Sequence, residues 1–304
     1  MAAKPFSEIG KDAIAAKGWL QSYKWLLLRR FSQIAVMVLF LLGPLAGIWI
    51  IKGNLSSSLL LDAVPMTEPV VFLQMLAAGL MPAADAIIGV AIVAVFYFLV
   101  GGRVFCSWVC PVNIVTDAAH WLRERLGIRG GARFSRNLRY WMLAMVVGLS
   151  AVTGTMAYEM FNPVSIMHRG IIFGVGFAWT VVIAIFLFDF LVSKRGWCTH
   201  LCPMGGLYSL LGKFSPLRVR ADKRQACNDC MDCFAVCPEP QVIKPALKGA
   251  EKGIGPVIVA SECTNCGRCI DVCSEDVFKF GTRFKNGSIQ VEKILSEKES
   301  AQQV

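Results

Sequence analysis

Haem, dinucleotide and nucleotide-phosphate chemistry leave no signature in this 304-residue chain. It has no Cys-x-x-Cys-His attachment motif, no Gly-x-Gly-x-x-Gly fingerprint and no P-loop. Charge is also scarce: 17% of residues are charged and 55% hydrophobic, where soluble domains usually carry about 25% charge. A mean hydropathy of +0.55 puts the chain on the membrane side of the globular range. Acidic residues are the rarer sign, 21 against 31 basic ones, for a net charge of +10. That balance would suit nucleic acid, but Lys and Arg cluster beside apolar runs rather than among exposed aromatics. Such clustering is the ordinary signal of membrane topology and argues against a nucleic-acid partner. Cysteine, by contrast, is plentiful: there are twelve, all in four regularly spaced groups. A disulfide scaffold scatters its cysteines through a small secreted domain, whereas grouped spacing in a large chain favours metal.

A bilayer core of roughly 30 Å calls for about 20 mostly apolar residues in a helix. Four segments qualify: Phe31–Ile51, Ala86–Gly102, Tyr140–Tyr158 and Ile171–Val192. Basic residues crowd three regions: Lys4, Lys11, Lys17, Lys24, Arg29 and Arg30 before the first span, Arg103 to Arg139 between the second and third, and Lys194 and Arg195 after the fourth. The positive-inside rule puts all three in the cytoplasm, and with them both termini. The alternate connections pit Lys52 against Asp62 and Glu68, and Arg169 against Glu159, so they face outward. The first run is too long for a signal-peptide core and lacks a small-residue cleavage site, which makes it an uncleaved anchor. Val70 to Leu80 has the length of an interfacial or re-entrant segment, or of a helix lying flat on the bundle.

The chain from Arg30 to Leu122 and the chain from Arg139 to Leu211 follow one plan. In the first copy Glu68-Pro69-Val70 precedes a span ending Phe98-Leu99-Val100, and then comes Cys106-Ser-Trp-Val-Cys110-Pro111. The second gives Asn162-Pro163-Val164, Phe190-Leu191-Val192 and Cys198-Thr-His-Leu-Cys202-Pro203. Both copies start and end on the same side, so the repeat is parallel, with a pseudo-two-fold axis along the membrane normal and a site expected where the halves meet.

The tail carries Cys227-x2-Cys230-x2-Cys233-x3-Cys237-Pro238 and Cys263-x2-Cys266-x2-Cys269-x3-Cys273. In such runs three thiolates from one tight loop serve one [4Fe-4S] cluster and the fourth serves the other. The expected sets are Cys227, Cys230, Cys233 and Cys273, and Cys263, Cys266, Cys269 and Cys237. Zinc prefers paired C-x2-C knuckles to a run of four. Ser274 stands where the motif has proline, which shapes the turn and ligates nothing. The membrane-proximal cysteines Cys106, Cys110, Cys198 and Cys202 are open to three readings: a third cluster or other redox site, structural thiols, or zinc. Outer-face residues Glu68, Asp85, Glu159 and His168 are candidates to take protons from a quinol. Asp189, one turn inside the last span, reads either as functional or as an interfacial ion pair with Lys194 and Arg195. His200, between two cysteines, packs or caps.

The expected fold class is an α-helical membrane protein of four transmembrane helices in two parallel repeats, followed by an α+β bacterial 2[4Fe-4S] ferredoxin-like domain. The divisions are an arm at 1–30, a membrane domain at 31–215, the ferredoxin-like domain at 216–285 and a polar tail at 286–304. With the two C-x3-C-P groups, both tail runs and phrases such as Arg195-Gly-Trp-Cys198 and Cys233-Phe-Ala-Val-Cys237-Pro238-Glu239-Pro240, the chain resembles the NapH-type ferredoxin-like membrane subunits of periplasmic nitrate reductase systems, a polyferredoxin branch. The resemblance covers nearly everything beyond the first 25 or so residues. It implies a bacterial inner-membrane quinol dehydrogenase subunit that passes electrons through a periplasmic NapG-type iron–sulfur partner, and often a NapC-type multihaem cytochrome, to nitrate reductase. The alternatives are a methylamine-utilisation branch of the same family, a maturation factor that supplies electrons to a metalloenzyme, and a recruiting anchor with structural clusters.

Overall fold

The computed structural model describes residues 8–284 except 129, 133 and 175. Lys4, Arg129, Arg133 and the polar tail at 286–304 lie outside the described residues. Helices α1 (Lys11–Lys17) and α2 (Trp19–Ala46) are parted by Gly18. The buried residues of α2, among them Arg29, Gln33, Met37 and Phe40, recur at helical spacing on one stripe, polar towards its start and apolar beyond. Gly47, left-handed at φ 70°, ends the helix by returning its N–H to the Gly43 carbonyl. Among the described residues α2 alone is long and apolar enough to cross a bilayer; Ala84–Val100, Leu138–Thr153 and Trp179–Val192 are apolar but shorter.

The apolar run that follows α2 does not extend it to Ile51. It folds into an antiparallel sheet of β1 (Ile51–Gly53), β2 (Ser57–Leu60) and β3 (Val64–Thr67), paired Ile51 with Leu60 and Ser57 with Thr67. Strands this short are invisible to sequence periodicity. Next come α3 (Pro69–Ala77), α4 (Ala84–Val100), α5 (Val104–Trp108) and α6 (Val112–Arg125).

The second copy opens with α7 (Leu138–Thr153), which a left-handed Gly154 stops short of Tyr158. The run expected as one span from Ile171 is broken at Gly174, left-handed at φ 65°, into α8 (Pro163–Phe173) and α9 (Gly176–Leu187). A π-helical turn at Phe188–Val192, a second at Trp197–Leu201 and α10 (Pro203–Leu211) complete it. Each repeat therefore runs long helix, short helix opened by x-Pro-Val, apolar helix, cysteine turn, and a helix entered through Cys-Pro.

The x-Pro-Val helices are built alike. Proline occupies the first turn, where its missing N–H costs nothing, and the preceding side chain caps the helix: Glu68 accepts from Val71 N at 2.9 Å and Asn162 from Val164 N at 3.1 Å. Ser56 ties the two starts together. Its carbonyl accepts from Glu68 N, and its hydroxyl bonds Ser165 at 2.7 Å and Glu159 at 3.0 Å. Between the repeats lies one apolar core that includes Val70, Tyr97, Phe105, Val146, Val164 and Tyr208. Gly102 sits so close to the Tyr208 carbonyl and the Gly212 nitrogen that no Cβ fits, which locks the end of α4 against α10.

The remaining unit pairs β4 (Leu217–Arg220) with β5 (Lys279–Thr282) in antiparallel register around α11 (Asp232–Val236), α12 (Ile243–Lys248) and α13 (Arg268–Asp271). Its own core holds Val219, Ile243, Leu247, Ile258, Val277 and Phe278. The described part of the N-terminal arm is strapped to this unit. Gly10 N donates to Asp232, and the Lys17 ammonium donates to the carbonyls of Ile270 and Cys273 at 2.8 Å each.

Candidate iron–sulfur centres and the seam between them

The two cysteine runs of the tail form loops of one shape. Asp229 and Met231 in the first, and Asn265 and Gly267 in the second, have positive φ of 59°, 64°, 47° and 74°. They occupy the same two places in each C-x2-C-x2-C loop. Left-handed residues at fixed places in a loop let it turn tightly. Asp and Asn tolerate that conformation and Gly is made for it; Met231 is the one residue of the four that enters it at steric cost.

Cys227, Cys230, Cys233 and Cys273 line one cavity, with Phe234, Leu247, Val272 and Phe278 around them. A second is lined by Cys237, Cys263, Cys266 and Cys269 together with Val219, Val242, Ile243 and Ile258. Each cavity thus takes three cysteines from one run and the last from the other. Among the described residues no three His, Cys, Asp or Glu side chains converge as they would on one ion. Four thiols spread around an apolar cavity fit the wider body of a cubane better than zinc, which draws its sulfurs to about 2.3 Å from one point. Burial and the neighbouring cysteines raise the Cys233 thiol to about 12, so ligation must displace a proton.

The first C-x3-C group adjoins the loop of the second cavity. Cys106 belongs to α5 and Cys110 follows it, while Cys198 sits in a π-helical turn and Cys202 precedes α10. All four are free thiols, close enough to influence one another's ionisation. The Gln33 amide donates to the carbonyls of Ser107 and Cys110 at 3.0 and 3.2 Å, fixing the first turn. That turn docks on the ferredoxin loop: Ser107 Oγ donates to Thr264 O at 2.8 Å and Trp108 Nε1 to Asn265 O at 3.1 Å.

A buried ion-pair network clamps the same seam. Arg103 meets Glu239 at 2.8 Å, Arg139 meets Glu239 and Glu262 at 3.4 Å each, and Arg103 also donates to the carbonyls of Glu262 and Cys198. Arg103, Arg139 and Glu239 are each no more than 2% exposed. Burial would raise the Glu239 carboxyl, but the adjoining Arg103 holds it below the ordinary range. Arg195 stands three residues before Cys198 as Arg103 stands three before Cys106. It reaches Asp117 at 3.1 Å and the Val236 carbonyl beside Cys237. None of these pairings is visible in sequence; the one available signal was an arginine at the same offset before each C-x3-C group.

The expected proton-handling residues fare unequally. Glu68 is buried as the cap of α3, with Oε1 lacking a hydrogen-bond partner. Glu159 sits close by on Ser56 and Asn162. His168 is buried on α8 with its ring edge-on to Phe40 at 4.8 Å and Nε2 unpartnered. Asp85 is exposed at the start of α4 and joins no such group. Asp189 is fully buried and makes no ion pair with Lys194 or Arg195; instead Oδ1 accepts from Trp197 N at 2.9 Å and holds the cysteine turn, because those basic residues are taken by Glu124 and Asp117. His200 faces the Ser135 carbonyl and packs beside Phe134, a packing role.

Paired four-cysteine cavities in a ferredoxin fold, joined to an apolar helical repeat, define an iron–sulfur protein of electron transport. The 4Fe-4S binding domain family matches residues 83–129 and 175–222, once in each repeat, and the 4Fe-4S dicluster domain family matches 226–277. The ferredoxin-type protein NapH of Escherichia coli is 48% identical over 92% of this chain and 97% of its own length. The methylamine utilization ferredoxin-type protein MauN of Paracoccus denitrificans is 50% identical over 90% and 95% respectively. No solved structure matches the chain. The chain belongs to the family of NapH- and MauN-type ferredoxin-type proteins, the polyferredoxins.

Proposed function

We propose that this chain is the multi-pass inner-membrane subunit of a quinol dehydrogenase, with both termini cytoplasmic, that passes electrons from membrane quinol towards periplasmic nitrate reductase. Its partners are a periplasmic NapG-type iron–sulfur protein and a membrane-anchored NapC-type cytochrome. Four crossings are made by α2, α4, α7 and α9 with its π-helical turn. The apolar, exposed outer faces of these helices support that reading, for instance Phe31, Phe96, Trp141 and Ile183.

The observation that carries the proposal is the seam: the C-x3-C turn of the first repeat rests on the loop of the second cysteine cavity through Ser107, Trp108 and the Arg103–Glu239 pair. When bound, [4Fe-4S] clusters supply one-electron redox centres. The chain holds one on Cys227, Cys230, Cys233 and Cys273 and one on Cys263, Cys266, Cys269 and Cys237, excludes water with the apolar linings, and fixes the intervals through the clamp. Cys106, Cys110, Cys198 and Cys202 form a third site of the same kind at the membrane surface. Glu68 and Glu159 at the paired helix starts, and His168 in the second turn of α8, accept protons released by quinol.

Anaerobic iron and sulfide analysis tests the ligand sets. About twelve irons per chain are expected with the third site filled and about eight without it. Cys237→Ala should lose the cluster of the opposite run; a variant that keeps every cluster signal sinks the crossed assignment. The 50% identity to MauN favours a second reading in which the same chemistry serves methylamine oxidation, and growth of a deletion strain on nitrate or methylamine separates the two.

A further inference from the structure

A cavity of about 310 Å³ opens beside the seam, between the start of α2 and α6. Its charge does not balance. Arg29, Arg30 and Arg195 all converge on one carboxylate, Asp117, with Arg29 at 2.7 Å and Arg195 at 3.1 Å. Their other contacts are neutral: Arg30 donates to Gln33 and Asn113, and Arg195 to the Val236 carbonyl. Among the described residues two positive charges are left over, in a site where Arg29 is 4% exposed and the Nε atoms of Arg29 and Arg195 have no hydrogen-bond partner. Buried charge of that kind is stable only when something of opposite sign completes it.

Cys106 and Cys198 also line the cavity, but among the described residues Arg29, Arg30 and Arg195 donate to Asp117, Gln33, Asn113 and the Val236 carbonyl and to no thiol. Leu27 and Trp121 line the cavity and are exposed, at 42% and 46%. Buried positive charge beside exposed apolar side chains matches a molecule with an anionic head and a hydrocarbon body. Planar guanidinium groups bind phosphate oxygens two at a time, and basic pockets at the cytoplasmic ends of helices are where anionic lipid headgroups lodge.

We propose that this cavity binds a phosphate-bearing anion, supplied as the headgroup of an anionic phospholipid from the inner leaflet. The lipid source rests on the membrane reading above; the anion site itself does not. Bound there, the phosphate neutralises the trio at Asp117 and braces α2 and α6 against the ferredoxin unit through Arg195.

Full-length protein with its clusters is placed in nanodiscs of phosphatidylcholine, with or without cardiolipin, and lipid retention is read by native mass spectrometry alongside the melting temperature. Cardiolipin should be retained and raise the midpoint. Arg30→Gln should bind about tenfold more weakly, about 1.4 kcal/mol, and Asp117→Asn, which enlarges the surplus, should bind more tightly. Arg30→Lys keeps the charge but not the planar fork, so if Arg30→Gln does not fold, Arg30→Lys should still bind, more weakly than wild type. Inorganic phosphate titrated into phosphatidylcholine discs is the second arm: stabilisation there without lipid retention upholds the anion site and assigns it to free phosphate. No response to either, or equal cardiolipin binding by wild type and both charge variants, overturns the proposal. Release of the chain from membranes by alkaline carbonate would refute the membrane reading and leave the phosphate arm standing.

Discussion

Glu239 carries more of the seam than any other single side chain, because two buried arginines share it. Glu239→Gln leaves Arg103 without its charge partner and Arg139 with Glu262 alone, and breaking a buried pair costs about 3–5 kcal/mol; the melting temperature should fall and the clusters should be lost more readily on heating. A midpoint within a degree or so of wild type would mean the clamp is idle. A second residue-scale effect concerns pH. Burial, Arg195 and Lys194 push His120 down to about 2. Burial would raise Asp117, but Arg195, Arg29 and Arg30 outweigh it and hold the carboxyl at about 2. Below about pH 6.5, the ordinary value for His, the unfolded chain takes up a proton that folded His120 refuses, so stability falls; Asp117 adds to the loss below about pH 4. The midpoint should therefore be flat above pH 7 and decline beneath it, and His120→Gln should flatten that decline. An unchanged slope in the variant would count against this.

At the scale of elements, the short helices opened by x-Pro-Val are the feature to test. Asn162→Ala removes the cap of α8 and should cost about 1 kcal/mol, read as a lower thermal midpoint, with Asn162→Ser, which can still accept from Val164 N, partly restoring it. Gly267 is held at φ 74° with the Trp25 ring 2.5 Å from where a Cβ would stand. Gly267→Ala strains the cluster loop by about 1–3 kcal/mol and should lower iron content before it unfolds the rest; full iron occupancy at the wild-type midpoint would contradict that. These elements were unevenly legible in sequence. The cysteine loops could be read because their ligand spacing is local, and the repeat because Cys106 and Cys198 recur within the same string of neighbours. The break at Gly174 was hidden, since apolar residues continue on both sides and hydropathy does not sense a left-handed cap. The pairings of Arg103 with Glu239 and of Gln33 with the Ser107 carbonyl join residues far apart in the chain, which no local pattern encodes. Of the two readings of Asp189, the ion pair with Lys194 and Arg195 does not form, because those residues find Glu124 and Asp117 in space.

For the whole molecule, two four-cysteine cavities share one ferredoxin-type unit, and the first C-x3-C turn is joined to the loop of the second cavity by hydrogen bonds and the Arg103–Glu239 pair. The cysteine sites are useful only if electrons reach them, and reduced quinol is the proposed donor. The deciding measurement is EPR of the anaerobically purified, oxidised protein before and after addition of a reduced quinol analogue. Cluster signals that appear with quinol, and weaken in Cys106→Ser and Cys202→Ser, are the expected result. Clusters that dithionite reduces but quinol leaves silent, with the partner proteins present, would contradict the quinol dehydrogenase assignment and favour a maturation factor.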